Sequence, residues 1–440
     1  KMLSRKPLHE LFQRKINCKN IITITRTLFS KKSKKCSKDY IDKEKAFNAH
    51  IYEPLPVVIE KGEGCHVWDV EGKMYLDFLA GFAALNTGHC HPKIVNAMKE
   101  QASCLHHTCR AFYNSVLPLF GEYITGMFNY EKVIPMNTGV EGGETAIKVA
   151  RRWGYLRKKI PENEAIVIMA ENNFWGRTTA AISSSTNPVM YKHFGPYMPG
   201  FGIIPYNNIK ALEEALCNPN VCAFMVEPIQ GEGGVIVPCD TYLREVRRLC
   251  SERNVLWIAD EVQTGLGRTG DLLACDHECV RPDILILGKG LAGGVIPMSA
   301  VLANEEIMHL MTPGTHGSTY GGNPLACTVA MTTLDVIKEE KLIENAKNLG
   351  VKFRCELQCR LPKDVVPIVR GRGLLNAIQI NPVYGNARDI CMKFIEKGLL
   401  TKNCDDCTIR FTPPLTVDEC QLRDAIQIIS DVIHSLKPVC

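Results

Sequence analysis

The sequence predicts an α/β protein with a large domain on a mostly parallel sheet and a smaller α/β domain at the C-terminus. Between about residues 90 and 325, short apolar stretches alternate with longer amphipathic ones. That pattern is typical of strands and helices in a parallel sheet covered on both faces. After Pro324 the apolar stretches become sparse and helical periodicity dominates. A chain of 440 residues is also too long for one minimal core.

Strands are expected where short apolar runs lie between turn residues, and helices where apolar residues recur every three or four positions. The expected strands are 57–59, 66–69, 74–78, 132–136, 166–170, 223–226, 255–259, 284–287 and 374–380. The expected helices are 91–104, 141–158, 208–216, 241–252, 325–338, 342–358, 387–397 and 417–436. We expect a leader over 1–38, an N-terminal segment over 39–85, the large domain over 86–325 and the small domain over 326–440.

The first 38 residues differ in charge from the rest of the chain. They contain 12 Lys or Arg and one acidic residue, Glu10, whereas the other 402 residues carry a net charge of −6. Leu8, Leu11, Phe12 and Ile16 recur at helical spacing among these cations, as in a mitochondrial presequence. We therefore expect a protein of the mitochondrial matrix. A disordered basic arm is the alternative.

Composition excludes several other classes. The body shows no basic field for nucleic acid, and no apolar run approaches the ~18 residues that a membrane span needs. The 20 cysteines are scattered, unlike the framework of a small secreted domain. Cys404 and Cys407 form a C-x-x-C pair that no second pair or nearby His completes as a zinc site, so we expect no metal. A redox-sensitive pair is the alternative.

Three features fall at the ends of predicted strands, where ligands gather in an open parallel sheet. Residues 137–146 run from a strand through a glycine-bearing turn into a helix, whose first N–H groups suit a phosphate. Asp260 ends one apolar strand, and Lys289 emerges between two glycines at the end of the next. Taken singly, these features are also typical of an ordinary turn, a helix N-cap and a surface lysine.

Taken together, the three features match what pyridoxal phosphate needs. A helix N-terminus would hold the phosphate, and a carboxylate would keep the pyridine nitrogen protonated. A desolvated lysine, with its pKa lowered, would attach the aldehyde. The sequence therefore predicts a pyridoxal-phosphate enzyme.

At these residues the chain resembles the class III, fold-type I aminotransferases, and within them the branch that acts on ornithine. The resemblance runs from about Tyr40 to the C-terminus, and its matching blocks are 52–56, 88–92, 137–146, 173–178, 226–231, 259–268, 288–290 and 317–324. It implies a fold-type I transferase, with a large domain that carries a mostly parallel seven-stranded-type sheet and a smaller C-terminal α/β domain.

The resemblance assigns roles around the cofactor ring. Lys289 would attach the cofactor and carry protons as general acid and base. Asp260 would pair with the pyridinium nitrogen, Gln263 would bond the phenolic oxygen, and Phe174 would stack on the ring.

It also assigns the phosphate site. The backbone amides of Gly139 and Val140 would bind the phosphate of their own subunit. The segment with Ser318 and Thr319 would reach the phosphate of a neighbouring subunit, which implies a homodimer or higher homo-oligomer.

The substrate side follows from the same resemblance. Tyr52 and Arg177 would hold the carboxylate of L-ornithine, so that its distal amine meets the cofactor. Arg410 would bind the α-carboxylate of 2-oxoglutarate, and Glu232 would neutralise Arg410 while ornithine is bound. A purely structural ion pair is the alternative for Arg410 and Glu232.

One substrate-side position departs from the family pattern. Phe82 stands where enzymes of this branch usually have tyrosine, so the ring remains but a hydroxyl is lost. The activity implied is transfer of the δ-amino group of ornithine to 2-oxoglutarate. The alternatives are an ω-aminotransferase acting on 4-aminobutyrate or N-acetylornithine, and a catalytically silent structural paralogue.

Overall fold

The computed structural model describes residues 36–438. Its helices are α1 (Ser37–Phe47), α2 (Pro92–Cys104), α3 (Leu117–Phe128), α4 (Gly139–Trp153), α5 (Thr179–Ser183), α6 (Pro188–Tyr191), α7 (Ile209–Ala215), α8 (Tyr242–Glu252), α9 (Glu305–Met308), α10 (Pro324–Glu339), α11 (Leu342–Arg360), α12 (Ala387–Glu396) and α13 (Glu419–His434). Its strands are β1 (Ile59–Glu63), β2 (His66–Asp69), β3 (Met74–Asp77), β4 (Lys132–Met136), β5 (Ile166–Ala170), β6 (Phe201–Ile204), β7 (Val221–Val226), β8 (Leu256–Asp260), β9 (Ile284–Leu287), β10 (Ser299–Ala303), β11 (Ile368–Arg372), β12 (Leu375–Gln379), β13 (Leu399–Leu400), β14 (Lys402–Asn403) and β15 (Thr408–Phe411). Of the leader expected over 1–38, residues 1–35 lie outside the described part.

Tertiary contacts divide the chain into two compact units. In the first, which includes residues 36–60 and 69–73, helix α1 buries none of its side chains. Ser37 in this unit donates its backbone N–H and its hydroxyl to the Glu71 carboxylate, both at 2.7 Å. The second unit includes residues 61–68 and 74–438 and contains all the catalytic candidates except Tyr52.

The seven-stranded sheet of the second unit has the order β4-β10-β9-β8-β7-β5-β6. Strand β10 runs antiparallel to both of its neighbours, and the remaining pairs are parallel. The expectation of a mostly parallel sheet is confirmed. Because β8 and β9 are parallel neighbours, Asp260, which ends β8, and Lys289, which comes shortly after β9, lie at the same edge of the sheet.

Both faces of this sheet are covered by helices. All six residues of β7 are buried, and their alternation places Ala223 and Met225 in a core with α4. Phe224 and Val226 belong to a second core with α8. Burial on both faces explains why the strands of this sheet read as continuous apolar runs.

A smaller antiparallel sheet, with the order β11-β12-β15-β14, follows in the chain. Ala377 of β12 lies opposite Arg410 of β15, so the sheet fixes the register of that arginine. Near the start of the unit, β3 pairs antiparallel with β2 and parallel with β13. The proposed domain limits at 85 and 325 remain a prediction.

The expected strands 66–69, 132–136, 166–170 and 284–287 coincide with β2, β4, β5 and β9. The expectation of a strand at 57–59 was wrong, since β1 begins at Ile59. Strands β6 and β10 and helix α3 were not foreseen. No helix within residues 36–438 is long and apolar enough to cross a membrane.

Candidate active site

The turn between β4 and α4 forms an anion-binding helix start. The Thr138 hydroxyl accepts the Glu141 N–H at 3.4 Å, and the Glu141 carboxylate accepts the Thr138 N–H at 2.5 Å. This reciprocal cap leaves the first two helical N–H groups, those of Gly139 and Val140, without an acceptor among the described residues. Two free N–H groups at the positive end of a helix suit a phosphate.

Lys289 lies beside this helix start, in a cavity of about 280 Å³ that it shares with Thr138 and Gly139. Its φ of 43° is in the left-handed region, a strained conformation typical of functional sites. Desolvation by burial lowers the pKa of the amine to about 8, although the nearby Glu232 carboxylate acts in the opposite direction. A lowered pKa increases the neutral, nucleophilic fraction of the amine.

Asp260 is buried at the end of β8, with 6% of its surface exposed. Its Oδ1 accepts the N–H of Val262 at 3.1 Å, and Oδ2 accepts no hydrogen bond from residues 36–438. Burial raises the pKa of this carboxyl to about 6, while the Val262 N–H and the charge of Lys289 lower it. A desolvated carboxylate with one free oxygen would bind a cationic ring nitrogen strongly.

The buried Arg410 forms an ion pair at 2.8 Å with Glu232, whose side chain is 27% exposed. Arg410 is 1% exposed, and its Nε has no hydrogen-bond partner among the described residues. Gln263 completes the cluster, because its amide contacts both partners at 3.4 Å. Burial alone would raise the pKa of Glu232, but Arg410 brings it below its usual value. The predicted pairing of Arg410 with Glu232 is thus present in the structure.

Phe82 packs against this ion pair. The Arg410 guanidinium carbon lies 5.0 Å from the centre of the Phe82 ring, within the range of a cation–π contact. Residues Ala80–Ala83 form a left-handed turn, in which Phe82 has a φ of 59°. Asp77 holds the start of the turn by accepting the N–H groups of Leu79 and Ala80.

The remaining residues predicted from the sequence have fewer contacts within the site. The guanidinium carbon of Arg177 lies 5.6 Å from the Phe174 ring centre, and Arg177 is exposed. Tyr52 is 71% exposed and belongs to the first unit. Ser318 is held by Asn137, whose amide donates to its hydroxyl at 3.1 Å, and Thr319 is exposed.

Glu227 is a residue of the site that the sequence reasoning missed. It follows β7 and is 8% exposed. Its two oxygens accept the N–H groups of Phe174 at 3.0 Å and Gly231 at 3.1 Å. Burial raises its pKa to about 8. The strand-end argument that selected Asp260 also applies to Glu227 and would have found it.

The residues present fit pyridoxal phosphate. Two free helix N–H groups suit its phosphate, the open oxygen of Asp260 suits its ring nitrogen, and the neutral amine of Lys289 suits its aldehyde. The fold and the site together define a fold-type I, pyridoxal-phosphate-dependent enzyme.

Comparison with known proteins identifies the family. The profile of "Aminotransferase class-III" matches residues 47–433. The chain is 61% identical to "Ornithine aminotransferase, mitochondrial" of Drosophila ananassae, over 90% of this chain and 91% of that protein. The chain belongs to the class-III aminotransferase family, whose cofactor is pyridoxal phosphate.

Solved structures agree with this assignment. The ornithine aminotransferase of Toxoplasma gondii superimposes with a TM-score of 0.91 at 47% identity, covering 94% of this chain and 98% of that chain. The acetylornithine aminotransferase of Elizabethkingia anophelis superimposes with a TM-score of 0.83 at 51% identity, covering 91% and 99%. The fold therefore does not by itself separate the two substrates.

Proposed function

We propose that this protein is an ornithine aminotransferase. It transfers the δ-amino group of L-ornithine to 2-oxoglutarate and releases glutamate-5-semialdehyde and L-glutamate in a ping-pong reaction. The semialdehyde then cyclises to pyrroline-5-carboxylate. Relatives that are 50–61% identical over about 90% of the chain are named for this activity, which supports the proposal.

The observation that carries the proposal is the ion pair of the buried Arg410 with the half-buried Glu232 near Lys289. An uncovered, buried arginine would bind the α-carboxylate of any amino acid and turn its α-amine towards Lys289. While Glu232 neutralises Arg410, the ornithine carboxylate binds elsewhere, and the distal amine reacts. When 2-oxoglutarate binds, its carboxylate replaces that of Glu232 on Arg410.

The carboxylate of ornithine has two proposed partners, Arg177 and Tyr52. Arg177 is exposed beside the Phe174 ring, and no described residue lies within ion-pair distance of its guanidinium. It is therefore available to a substrate carboxylate.

Lys289 and Asp260 carry the cofactor chemistry in this proposal. Bound pyridoxal phosphate supplies a ring that withdraws electrons from the substrate carbon. Lys289, neutral in a large fraction of molecules near pH 8, would hold the cofactor covalently and would serve as the base and acid for proton transfer at the substrate carbon. Asp260 holds the ring nitrogen in its charged form.

Four further residues position the cofactor. Phe174 would stack on the ring, and Gln263 would donate a hydrogen bond to its phenolic oxygen. Gly139 and Val140 bind the phosphate through the N–H groups that the helix cap leaves free.

Two further parts of the proposal concern assembly and location. Thr319 is exposed and Ser318 is anchored by Asn137, which suits a segment that reaches the phosphate site of a second subunit. We therefore propose a homodimer or a larger homo-oligomer. The cationic leader, and relatives that are named mitochondrial, support a location in the mitochondrial matrix.

A second candidate substrate is N-acetylornithine. Phe82 lacks the hydroxyl expected of the ornithine branch, and a structure named as an acetylornithine aminotransferase is 51% identical. The Arg410–Glu232 pair favours ornithine, because only ornithine has a free α-amine that the pair would keep from reacting. The same pair, with Lys289 and Asp260 in place, does not support a catalytically silent paralogue.

Single-turnover spectroscopy tests the proposal. The protein without its leader is mixed with L-ornithine, 4-aminobutyrate or N-acetylornithine, and the visible band of the bound cofactor is followed. We expect ornithine to discharge the band at least about tenfold faster than the other two amines. A faster reaction with N-acetylornithine or 4-aminobutyrate would contradict the substrate assignment while keeping the aminotransferase chemistry.

A further inference from the structure

Glu232 lies near the tip of a short closed loop, residues 230–236, here called the gate loop. Gln230 and Ile236 close it by exchanging backbone hydrogen bonds of 3.2 and 2.9 Å. Inside the loop, the Gly231 carbonyl accepts the N–H groups of Gly234 and Val235, each at 3.2 Å. The position of Glu232 therefore depends on the conformation of this loop.

The gate loop has a strained backbone. Val235 is buried and β-branched, yet its φ is 57°, and Gly234 has a φ of 106°. A β-branched residue in the left-handed region is unfavourable unless its surroundings hold it there. At Gly231 a Cβ would lie 1.6 Å from Oε1 of Gln263, so the loop also approaches its neighbours too closely for a side chain. External contacts are needed to maintain this conformation.

Two polar side chains supply such contacts. The Glu227 carboxylate accepts the Gly231 N–H at 3.1 Å, just before Glu232 in the chain. On the other side, Arg370 of β11 donates its Nε–H to the Gly234 carbonyl at 2.9 Å. Glu227 also lies among the cofactor residues, whereas Arg370 lies outside them.

Arg370 also contacts the strand that carries the other half of the ion pair. Its Nη2 donates to the Thr408 hydroxyl at 3.5 Å, and its Nη1 donates to the Gln379 amide oxygen at 3.0 Å. Thr408 and Arg410 are two residues apart on β15, and Gly234 is two residues from Glu232. The Arg370 guanidinium therefore contacts both the loop that carries Glu232 and the strand that carries Arg410.

We propose that Arg370 is a positioning residue for amine selection, because it holds the gate loop so that Glu232 covers Arg410. This inference rests on the proposed function and extends it to a residue outside the ion pair. Without Arg370 the Gly234 carbonyl loses its donor and the strained loop relaxes. Glu232 then neutralises Arg410 less completely, and α-carboxylates compete better for Arg410.

The test compares Arg370→Met with Arg372→Met. Arg372 lies on the same strand, and its guanidinium pairs at 3.1 Å with Asp240, which is 90% exposed, so its removal costs one cation but no gate-loop contact. Cofactor discharge is measured with L-ornithine and L-glutamate as alternative amine donors. Calorimetry measures the binding of glutarate, a dicarboxylate that carries no amine.

For Arg370→Met we expect the ornithine-to-glutamate ratio of kcat/KM to fall about tenfold and glutarate to bind about five- to tenfold more tightly. Arg372→Met should leave both quantities within about twofold of wild type. Arg370→Lys, which keeps one donor, should recover part of the ratio.

In Arg370→Met, an equal loss of kcat/KM with both amine donors, or an unchanged affinity for glutarate, would overturn the inference. Arg370 would then be a structural residue only. A wild-type enzyme that does not accept ornithine would instead overturn the proposed function. The glutarate measurement would still test in that case whether Arg370 holds the gate loop, so the two failures are distinguishable.

Discussion

The cofactor side and the substrate side of the site are built in different ways. On the cofactor side, Asp260 ends one strand and Lys289 comes shortly after its parallel neighbour. Burial raises the pKa of Asp260 and lowers that of Lys289, so it favours the neutral form of each group. On the substrate side, Glu232 comes from a loop and Arg410 from an antiparallel strand, and the two charges stabilise each other. Desolvation shifts the pKa values of groups that take part in the reaction. An ion pair in which a ligand can replace one partner instead determines which ligand binds.

The largest expected effect concerns the reactive amine. Lys289→Ala should reduce steady-state turnover by roughly 10³-fold or more, since it removes both the attachment point and the proton carrier. Lys347→Ala is a matched control, because that lysine is exposed and forms an ion pair with Asp271 at the surface. Normal turnover in Lys289→Ala would contradict the assignment of the cofactor side.

The pH dependence of cofactor attachment is the next largest effect. Burial lowers the Lys289 pKa to about 8, so the amine becomes protonated as the pH falls through that value. We expect the rate at which the cofactor-free enzyme binds pyridoxal phosphate to fall about tenfold per unit below pH 8.

Glu227 titrates in the same range, so Glu227→Gln is the control for this profile. If the binding rate of pyridoxal phosphate still falls below pH 8 in Glu227→Gln, the pH dependence is due to Lys289. If the rate no longer depends on pH in that variant, the pH dependence is due to Glu227 instead.

Breaking the ion pair tests the substrate side alone. Glu232→Gln keeps the size of the side chain but removes the charge that covers Arg410. The rate with L-glutamate should rise relative to L-ornithine by about tenfold, measured as the ratio of the two kcat/KM values. An unchanged ratio would show that Glu232 does not govern the choice of amine.

The smallest expected effect is that of Phe82→Tyr on the affinity for L-ornithine. The added hydroxyl would offer the substrate one further hydrogen bond, and the cation–π contact of the ring with Arg410 would remain. Binding of L-ornithine should tighten by about five- to tenfold, consistent with about 1 kcal/mol for one hydrogen bond. Equal or weaker binding would mean that the lost hydroxyl has no part in ornithine recognition.

Much of the cofactor side could be predicted because it depends on local sequence. A strand end places its next residue at the edge of the sheet, so Asp260 and Lys289 were identifiable without the tertiary structure. Strand β10 was not foreseen, although all five of its residues are buried. It pairs antiparallel within a parallel sheet, a reversal that apolar composition does not reveal.

The substrate side depended on resemblance, because its residues are distant in the sequence. Glu232 and Arg410 are separated by 178 positions, and no spacing rule brings them together. The contacts that hold the gate loop, from Glu227 and Arg370, required the structure itself. Carbonyl acceptors and left-handed residues leave little signal in a single sequence.

Isotope transfer from labelled ornithine tests the central claim most directly. L-Ornithine labelled with ¹⁵N at either the δ- or the α-amino group is incubated with the enzyme and 2-oxoglutarate, and the glutamate is analysed by mass spectrometry. We predict that glutamate acquires the label from δ-¹⁵N-ornithine and almost none from α-¹⁵N-ornithine. Equal labelling from both positions, or transfer mainly from the α-position, would contradict a site in which Glu232 covers Arg410 to select the distal amine.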